Sequence, residues 1–126
     1  MKSKTLSDFE WQIMRIVWAK HKISVREVYE VTLKRQERAY TTVQTYMERL
    51  AKKGLLKKEK IGLVNFYSPV VQEKDLLQNE TFGFIKKTFN GSFAKMAAFL
   101  FDVDDISEKD LQKLKSLIKE KESGNG

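Results

Sequence analysis

Apolar side chains return every three or four positions through the first half of the chain. The clearest case is Tyr40–Lys53, where Val43, Met47 and Leu50 recur at i, i+4, i+7 and mark one buried stripe of a helix. Thr41, Thr45, Glu48 and Lys52 point the other way, flanked by Gln44 and Arg49. Upstream, Asp8–Lys20 reads as a first helix burying Trp11, Met14, Val17 and Trp18, and Val25–Arg35 reads as a second. A short polar connection, Gln36–Ala39, leads into the third. Gly54, after Lys52-Lys53, supplies the left-handed residue that ends it. Two apolar-polar runs follow, Leu55–Ile61 and Leu63–Pro69, separated by Gly62. They predict a β-hairpin that the proline terminates.

Three helix starts share one grammar: Leu6-Ser7 with Glu10 and Trp11, Ile23-Ser24 with Glu27 and Val28, and Ile106-Ser107 with Asp110 and Leu111. Each has a serine N-cap, an acid at the third helical position, and apolar residues placed to staple the entry. Each cap contributes about 1 kcal/mol. Beyond the hairpin the chain is predicted helical over Gln72–Phe89, Ser92–Phe101 and Ser107–Lys121. Asn90-Gly91 and the acidic turn Asp102–Asp105 break the run, and Ser123–Gly126 is expected to fray. The expected fold is mainly α with a small β-hairpin. Residues 1–71 form a winged helix-turn-helix domain, and residues 72–126 form a helical arm.

The arm carries more apolar side chains than three short helices can bury among themselves. Phe82, Ile85, Phe89, Phe93, Met96, Ala97, Leu100, Leu111, Leu114 and Ile118 are therefore assigned to a dimer interface. Packing of these residues onto the winged domain is the competing explanation.

Charge changes the picture of the first half. Residues 1–75 hold 16 Lys/Arg against 9 Asp/Glu, a net of +7, whereas residues 76–126 hold 8 of each. A basic half joined to a neutral one suits a polyanion-binding module with a protein-binding appendage. The threonine-rich face has short hydroxyls and an amide at its start, with Arg and Lys further along, the groups a helix uses on base edges and phosphates. Thr41, Gln44, Thr45 and Glu48 are the expected base readers. Arg26, Tyr40, Thr42, Arg49, Lys52, and Lys58 and Lys60 on the hairpin are the expected phosphate contacts. Double-stranded DNA is thus the expected partner.

Other classes fit less well. With no cysteine and His21 as the one histidine, no disulfide or thiolate zinc site can form, and no metal or cofactor is expected. His21 reads as a surface residue. The acids are scattered or gathered in one turn, so no enzyme is expected. No apolar run reaches the ~18 residues of a membrane span. The start, Met1–Ser7, lacks the apolar centre of a signal peptide, so a cytoplasmic protein is expected. The chief rival is a helical adaptor binding an acidic protein through its basic face, which predicts no palindrome preference and no steep salt dependence on DNA.

The sequence resembles the penicillinase repressor family, the BlaI/MecI/CopY type of bacterial transcriptional repressors. The likeness is carried by Leu6–Met14 with Val17-Trp18, Val25–Val28, Tyr40–Leu56 and Tyr67–Val71, and again by Phe89–Ser92 and Ile106–Leu111. It covers nearly the whole chain. The resemblance implies a homodimeric winged-helix repressor that occupies a palindromic operator until an inducing signal removes it. The family's recognition helix falls on Thr41, Thr42, Gln44, Thr45 and Arg49. Copper-responsive members carry a C-terminal cysteine motif that is absent here. In β-lactam-responsive members a membrane-bound sensor protease, or a protease it activates, cuts an Asn-Phe bond in the arm. That position aligns with Phe99-Leu100 here, a departure from the pattern.

Overall fold

The computed structural model describes residues 5–34 and 37–124. Its elements run α1 (Asp8–Lys20), β1 (Ile23–Ser24), α2 (Val25–Leu33), α3 (Tyr40–Lys52), β2 (Leu56–Ile61), β3 (Val64–Pro69), α4 (Glu73–Phe89), α5 (Phe93–Asp102) and α6 (Glu108–Gly124). The chain forms two compact units, Met1–Glu80 and Thr81–Gly126, whose boundary falls inside α4.

Both capping boxes in the first unit form. The Ser7 and Ser24 hydroxyls accept from the amides of Glu10 and Glu27, 3.2 Å each, and the two glutamates accept back from the serine amides at 2.8 and 2.9 Å. At the other end of α3, Gly54 adopts φ 83°. The amides of Leu55 and Gly54 donate to the carbonyls of Leu50 and Ala51, both at 3.0 Å, which is the Schellman pairing that lets a glycine close a helix.

The core of the first unit is one cluster built from α1, α2, α3 and the sheet. Ile13, Met14, Val17, Val28, Val43, Met47 and Leu50 have no exposure, and Leu76 of α4 joins them. The α3 stripe is buried as the periodicity requires. In α1 the expectation is corrected: Phe9, Ile13, Met14 and Val17 are buried, while Trp11 and Trp18 are only partly so. The tryptophans sit on the flank of the stripe, with ring centroids 6.4 Å apart. The Trp18 indole N–H donates to the Val71 carbonyl at 3.0 Å, a polar need that a central core position could not meet.

The sheet has three strands in the order β1-β3-β2, all antiparallel. The hairpin is the predicted one, and Gly62 at its tip has φ 66°. β1 is an addition: Ile23 pairs with Tyr67 and Ser24 with Phe66. The second helix ends at Leu33, short of its predicted end at Arg35, and Arg35 and Gln36 lie outside the described residues.

In the second unit, α5 ends on Asp102, so that residue closes a helix instead of opening the acidic turn. α6 continues through Gly124 where fraying was expected. Asn125 and Gly126, and Met1–Lys4 at the start, lie outside the described residues. The Phe82 and Phe93 rings stack at 5.7 Å, and Phe89 meets Phe84 at 6.3 Å and Phe99 at 5.9 Å. Ile85 is buried within the chain, and Phe89, Met96, Ala97, Leu111 and Leu114 are half-buried. Phe82, Phe93, Leu100 and Ile118 are exposed, as are Phe84, Phe99, Phe101 and Leu117.

Candidate nucleic-acid interface

With Val43, Met47 and Leu50 turned inward, α3 presents the rest of its circumference. Thr41, Thr45, Glu48, Arg49 and Lys52 are exposed, and Thr42 and Gln44 are half-buried. Gln44 does not stand clear on that face. It lines a groove of about 570 Å³ together with Arg26 of α2, Tyr40, and Leu63 and Asn65 of the hairpin. The structure therefore brings three of the sequence-derived site residues, Arg26, Tyr40 and Gln44, to one opening bordered by the wing.

Aromatic contacts hold the entrance. Tyr29 and Tyr40 meet edge to face at 5.6 Å, and the Arg26 guanidinium lies 5.8 Å from the Tyr40 ring centroid. Arg26 also reaches Glu30 at 3.9 Å, with both side chains well exposed. Such a pair contributes roughly 0–1 kcal/mol, so the guanidinium is easily recruited elsewhere. Further along α3, Arg49 lies 5.1 Å from the Tyr46 ring.

The wing's register sorts its lysines. Lys58 stands opposite Tyr67 and Lys60 opposite Asn65. Cross-strand partners share a face, so both lie on the side of buried Tyr67, although neither lines the groove itself. Lys57 and Glu59 pair with Ser68 and Phe66 on the other face, where Glu59 meets Lys22 at 3.3 Å. Burial, then the charge of Glu48, and then Tyr40 raise the Tyr67 hydroxyl above the usual tyrosine value. The exposed Glu48 carboxylate thus acts across the gap between α3 and the central strand.

The start of α3 differs from those of α1 and α2. Its N-cap is Ala39, in extended conformation at φ −68° and ψ 150°, with no side-chain hydrogen bond to the first turn. The Thr42 amide turns back to the Ala39 carbonyl at 3.1 Å, which leaves the Tyr40 and Thr41 amides as the donors in the place where helices accept phosphate.

At its other end α3 is pinned. The Lys53 ammonium donates to Glu10 Oε2 at 2.8 Å, while Oε1 of the same carboxylate accepts from the Ser7 amide. Burial works to raise the Glu10 pKa, but the Lys53 hydrogen bond and charge, with the Ser7 contacts, outweigh it and hold the carboxyl below its ordinary 4.5. Asn65 and Leu63 in the groove, and the Glu10–Lys53 link, were missed by sequence reasoning. The one available signal was Asn65, a polar residue inside the apolar run Leu63–Tyr67. Among the described residues, no group of three or more His, Asp or Glu side chains is placed to hold a metal ion, and no helix is long and apolar enough to cross a membrane.

A family model described as penicillinase repressor matches residues 6–120 of this chain. The chain belongs to the penicillinase repressor family. Within it, the chain is 29% identical over 115 residues to the penicillinase repressor of Bacillus licheniformis, covering 91% of this chain and 90% of that protein. It is 26% identical over 120 residues to the methicillin resistance regulatory protein MecI of Staphylococcus aureus, covering 95% and 98%. Its fold is similar to the solution structure of the DNA-binding domain of the repressor BlaI, with TM-score 0.53 and 36% identity over 60% of this chain and 93% of that one. A second penicillinase repressor structure, the monomeric form of Bacillus licheniformis BlaI in complex with the blaP half-operator, aligns with TM-score 0.50 and 35% identity over 59% and 90%. The architecture is accordingly a winged helix.

Proposed function

We propose that this protein is a homodimeric transcriptional repressor that binds a palindromic operator, with one α3 in the major groove of each half-site. The observation that carries this reading is the outward face of α3. Thr41 and Thr45 are exposed there and Gln44 lines a groove shared with Arg26 and the wing, at a helix start that has no side-chain cap. Short hydroxyls and an amide match base edges. Arg26, Tyr40, Thr42, Arg49, Lys52, Lys58 and Lys60 supply the surrounding phosphate contacts, and the solved complex of BlaI with a half-operator supports the choice of ligand.

The test uses duplexes selected from a random pool. If ~6–10 phosphates are neutralised, raising salt from ~50 to ~200 mM should weaken binding by about 10³–10⁵. Gln44→Ala should cost about 1–3 kcal/mol on the selected palindrome and little on scrambled DNA. Lys58→Ala and Lys60→Ala should weaken both alike and flatten the salt slope. A flat salt response, or equal affinity for scrambled duplexes, overturns the proposal and favours the adaptor reading.

The dimer is assigned to the arm beyond Gln72, because Phe82, Phe84, Phe93, Phe99 and Phe101 remain exposed in a single chain. Induction is assigned to loss of that arm. A cut within Lys95–Phe101 would separate α6 and shift the dimer toward monomers, leaving each half-site to bind alone. A cut requires local opening of α5, which contains no fully buried residue. Mass analysis of the protein from induced cells decides between cleavage and a ligand that loosens the arm. An uncut chain with its target genes fully expressed rejects cleavage.

A further inference from the structure

The wing ends in a residue that neither its turn nor its core requires. β2 and β3 close through two residues, Gly62 and Leu63, between the paired Ile61 and Val64. Positive φ falls on the glycine, at 66°, the requirement of a hairpin turn with glycine in its first central position. The second position then takes small polar residues readily. It holds Leu63 instead, 95% exposed and flanked by Ile61 and Val64 at 46% each. An apolar tip therefore crowns a hairpin that carries Lys58 and Lys60 on one face of β2, opposite Tyr67 and Asn65. Leu63 lines the same opening as Gln44, so a duplex seated on α3 meets the tip.

We infer that Leu63 reads the minor groove flanking each half-site and selects base pairs lacking the guanine amino group. This rests on the DNA-binding reading above. The phosphates beside the major groove also wall the neighbouring minor groove, so a hairpin whose lysines grip that backbone carries its tip across into the next groove. A leucine gains nothing from phosphate. It is stabilised only by losing water against the sugar and base surfaces that line the groove. The groove is about 6 Å wide, and its floor differs chiefly by the N2 amino donor that a G·C pair adds. Leucine cannot accept a hydrogen bond, so seating it over that amino group strips water from a donor and leaves the donor unsatisfied. A·T pairs present only acceptors and leave the groove open. The result is selection at a position where the protein makes no hydrogen bond to a base.

The experiment places A·T, G·C or inosine·C pairs at each flanking position of the selected palindrome and measures affinity for the full-length protein and for Leu63→Ser. Inosine·C keeps the major-groove face of G·C and lacks the amino group. The parent protein should bind about tenfold more weakly when G·C occupies the contacted flank, and inosine·C should restore binding. Leu63→Ser, which suits the turn and removes only an exposed side chain, should melt like the parent, keep its salt slope, and show a flat flank profile. A parent indifferent to the flank, or a serine variant retaining the same G·C penalty, overturns the inference while leaving operator recognition intact. Failure of the parent to prefer the palindrome over scrambled DNA overturns both readings together. Leu63→Lys provides a second check. A uniform rise in affinity on all duplexes, with no loss of flank discrimination, would place the tip on phosphate and reject the groove contact.

Discussion

The two units of this chain are built from similarly capped helices and reach opposite results. In Met1–Glu80, seven side chains from three helices have no solvent exposure, and the strands seal the cluster with Ile23, Leu56 and Tyr67. In Thr81–Gly126, Ile85 alone among the described residues is buried, while Phe82, Phe84, Phe93, Phe99 and Phe101 are each about half exposed. Helix formation is therefore not what separates the two. Caps and periodicity start and stop helices, but only a third layer, here a sheet, gives the apolar stripes somewhere to go. The arm lacks such a layer within one chain. Its apolar patches are of the kind that mark an interface, and the proposed dimer supplies the missing surface.

The largest expected effect tests that contrast directly. Met47→Ala, at a position with no exposure, should destabilise the winged unit by about 2–5 kcal/mol. Phe99→Ala, at a ring 56% exposed, should cost a dissociated chain no more than about 1 kcal/mol while weakening dimerisation. Thermal melts at low concentration and sedimentation across a concentration series read the two quantities. Equal losses of melting temperature with unchanged dimerisation would erase the distinction.

A smaller effect concerns the ion pair that ties the ends of α1 and α3 together. Glu10 has a depressed pKa in the folded state. Its contribution is thus fully present above the unfolded value of 4.5 and is lost as pH falls through the lower folded value. Lys53→Met leaves a carboxylate with 4% side-chain exposure without its cation. It should destabilise the winged unit by on the order of 2 kcal/mol at neutral pH and flatten the loss of stability below pH ~4.5. Denaturant titrations from neutral to acid pH check both, and an unchanged acid slope would show that other carboxylates set it. No buried carboxylate of this kind occurs among the described residues of the arm.

The smallest effect sharpens the difference between capped and uncapped helices. Ala39 already has the extended backbone of an N-cap, close to that of Ser7. Ala39→Ser should stabilise the protein by about 1 kcal/mol and weaken operator binding, because the new hydroxyl competes with a phosphate for the Thr41 amide, Thr42 being already bonded to the Ala39 carbonyl. A gain in both stability and affinity would show that the bare amides of α3 play no part.

Much of this organisation was legible in the chain. Ser7, Ser24 and Ser107 fixed helix starts, Gly54 and Gly62 fixed turns, and the Val43-Met47-Leu50 stripe oriented α3 correctly. What escaped shares a physical cause. β1 is two residues long, too short for alternation to show, and it was read only as a staple before α2. Trp11 and Trp18 were placed in the core by residue type, whereas their phase on the helix puts them at its edge. The Glu10–Lys53 bond joins residues 43 apart in sequence, and local pattern holds no information about such a pair. Likewise, the meeting of Gln44 with Leu63 and Asn65 depends on where a hairpin leans.

The central position of β3 has a consequence for how a ligand is met. A hairpin attached only through its own two strands can swing, and each binding event must then arrest it. Here β3 is also zipped to Ile23 and Ser24, and Ser24 is at once the last strand residue and the N-cap of α2. Lifting the wing would therefore uncap a helix as well as break a ladder. The angle between wing and recognition helix is set once, when the chain folds, and the entropy of holding it is not lost again at each encounter. Association should consequently resemble the docking of two rigid surfaces, with little rearrangement of this unit's backbone between its free and bound forms.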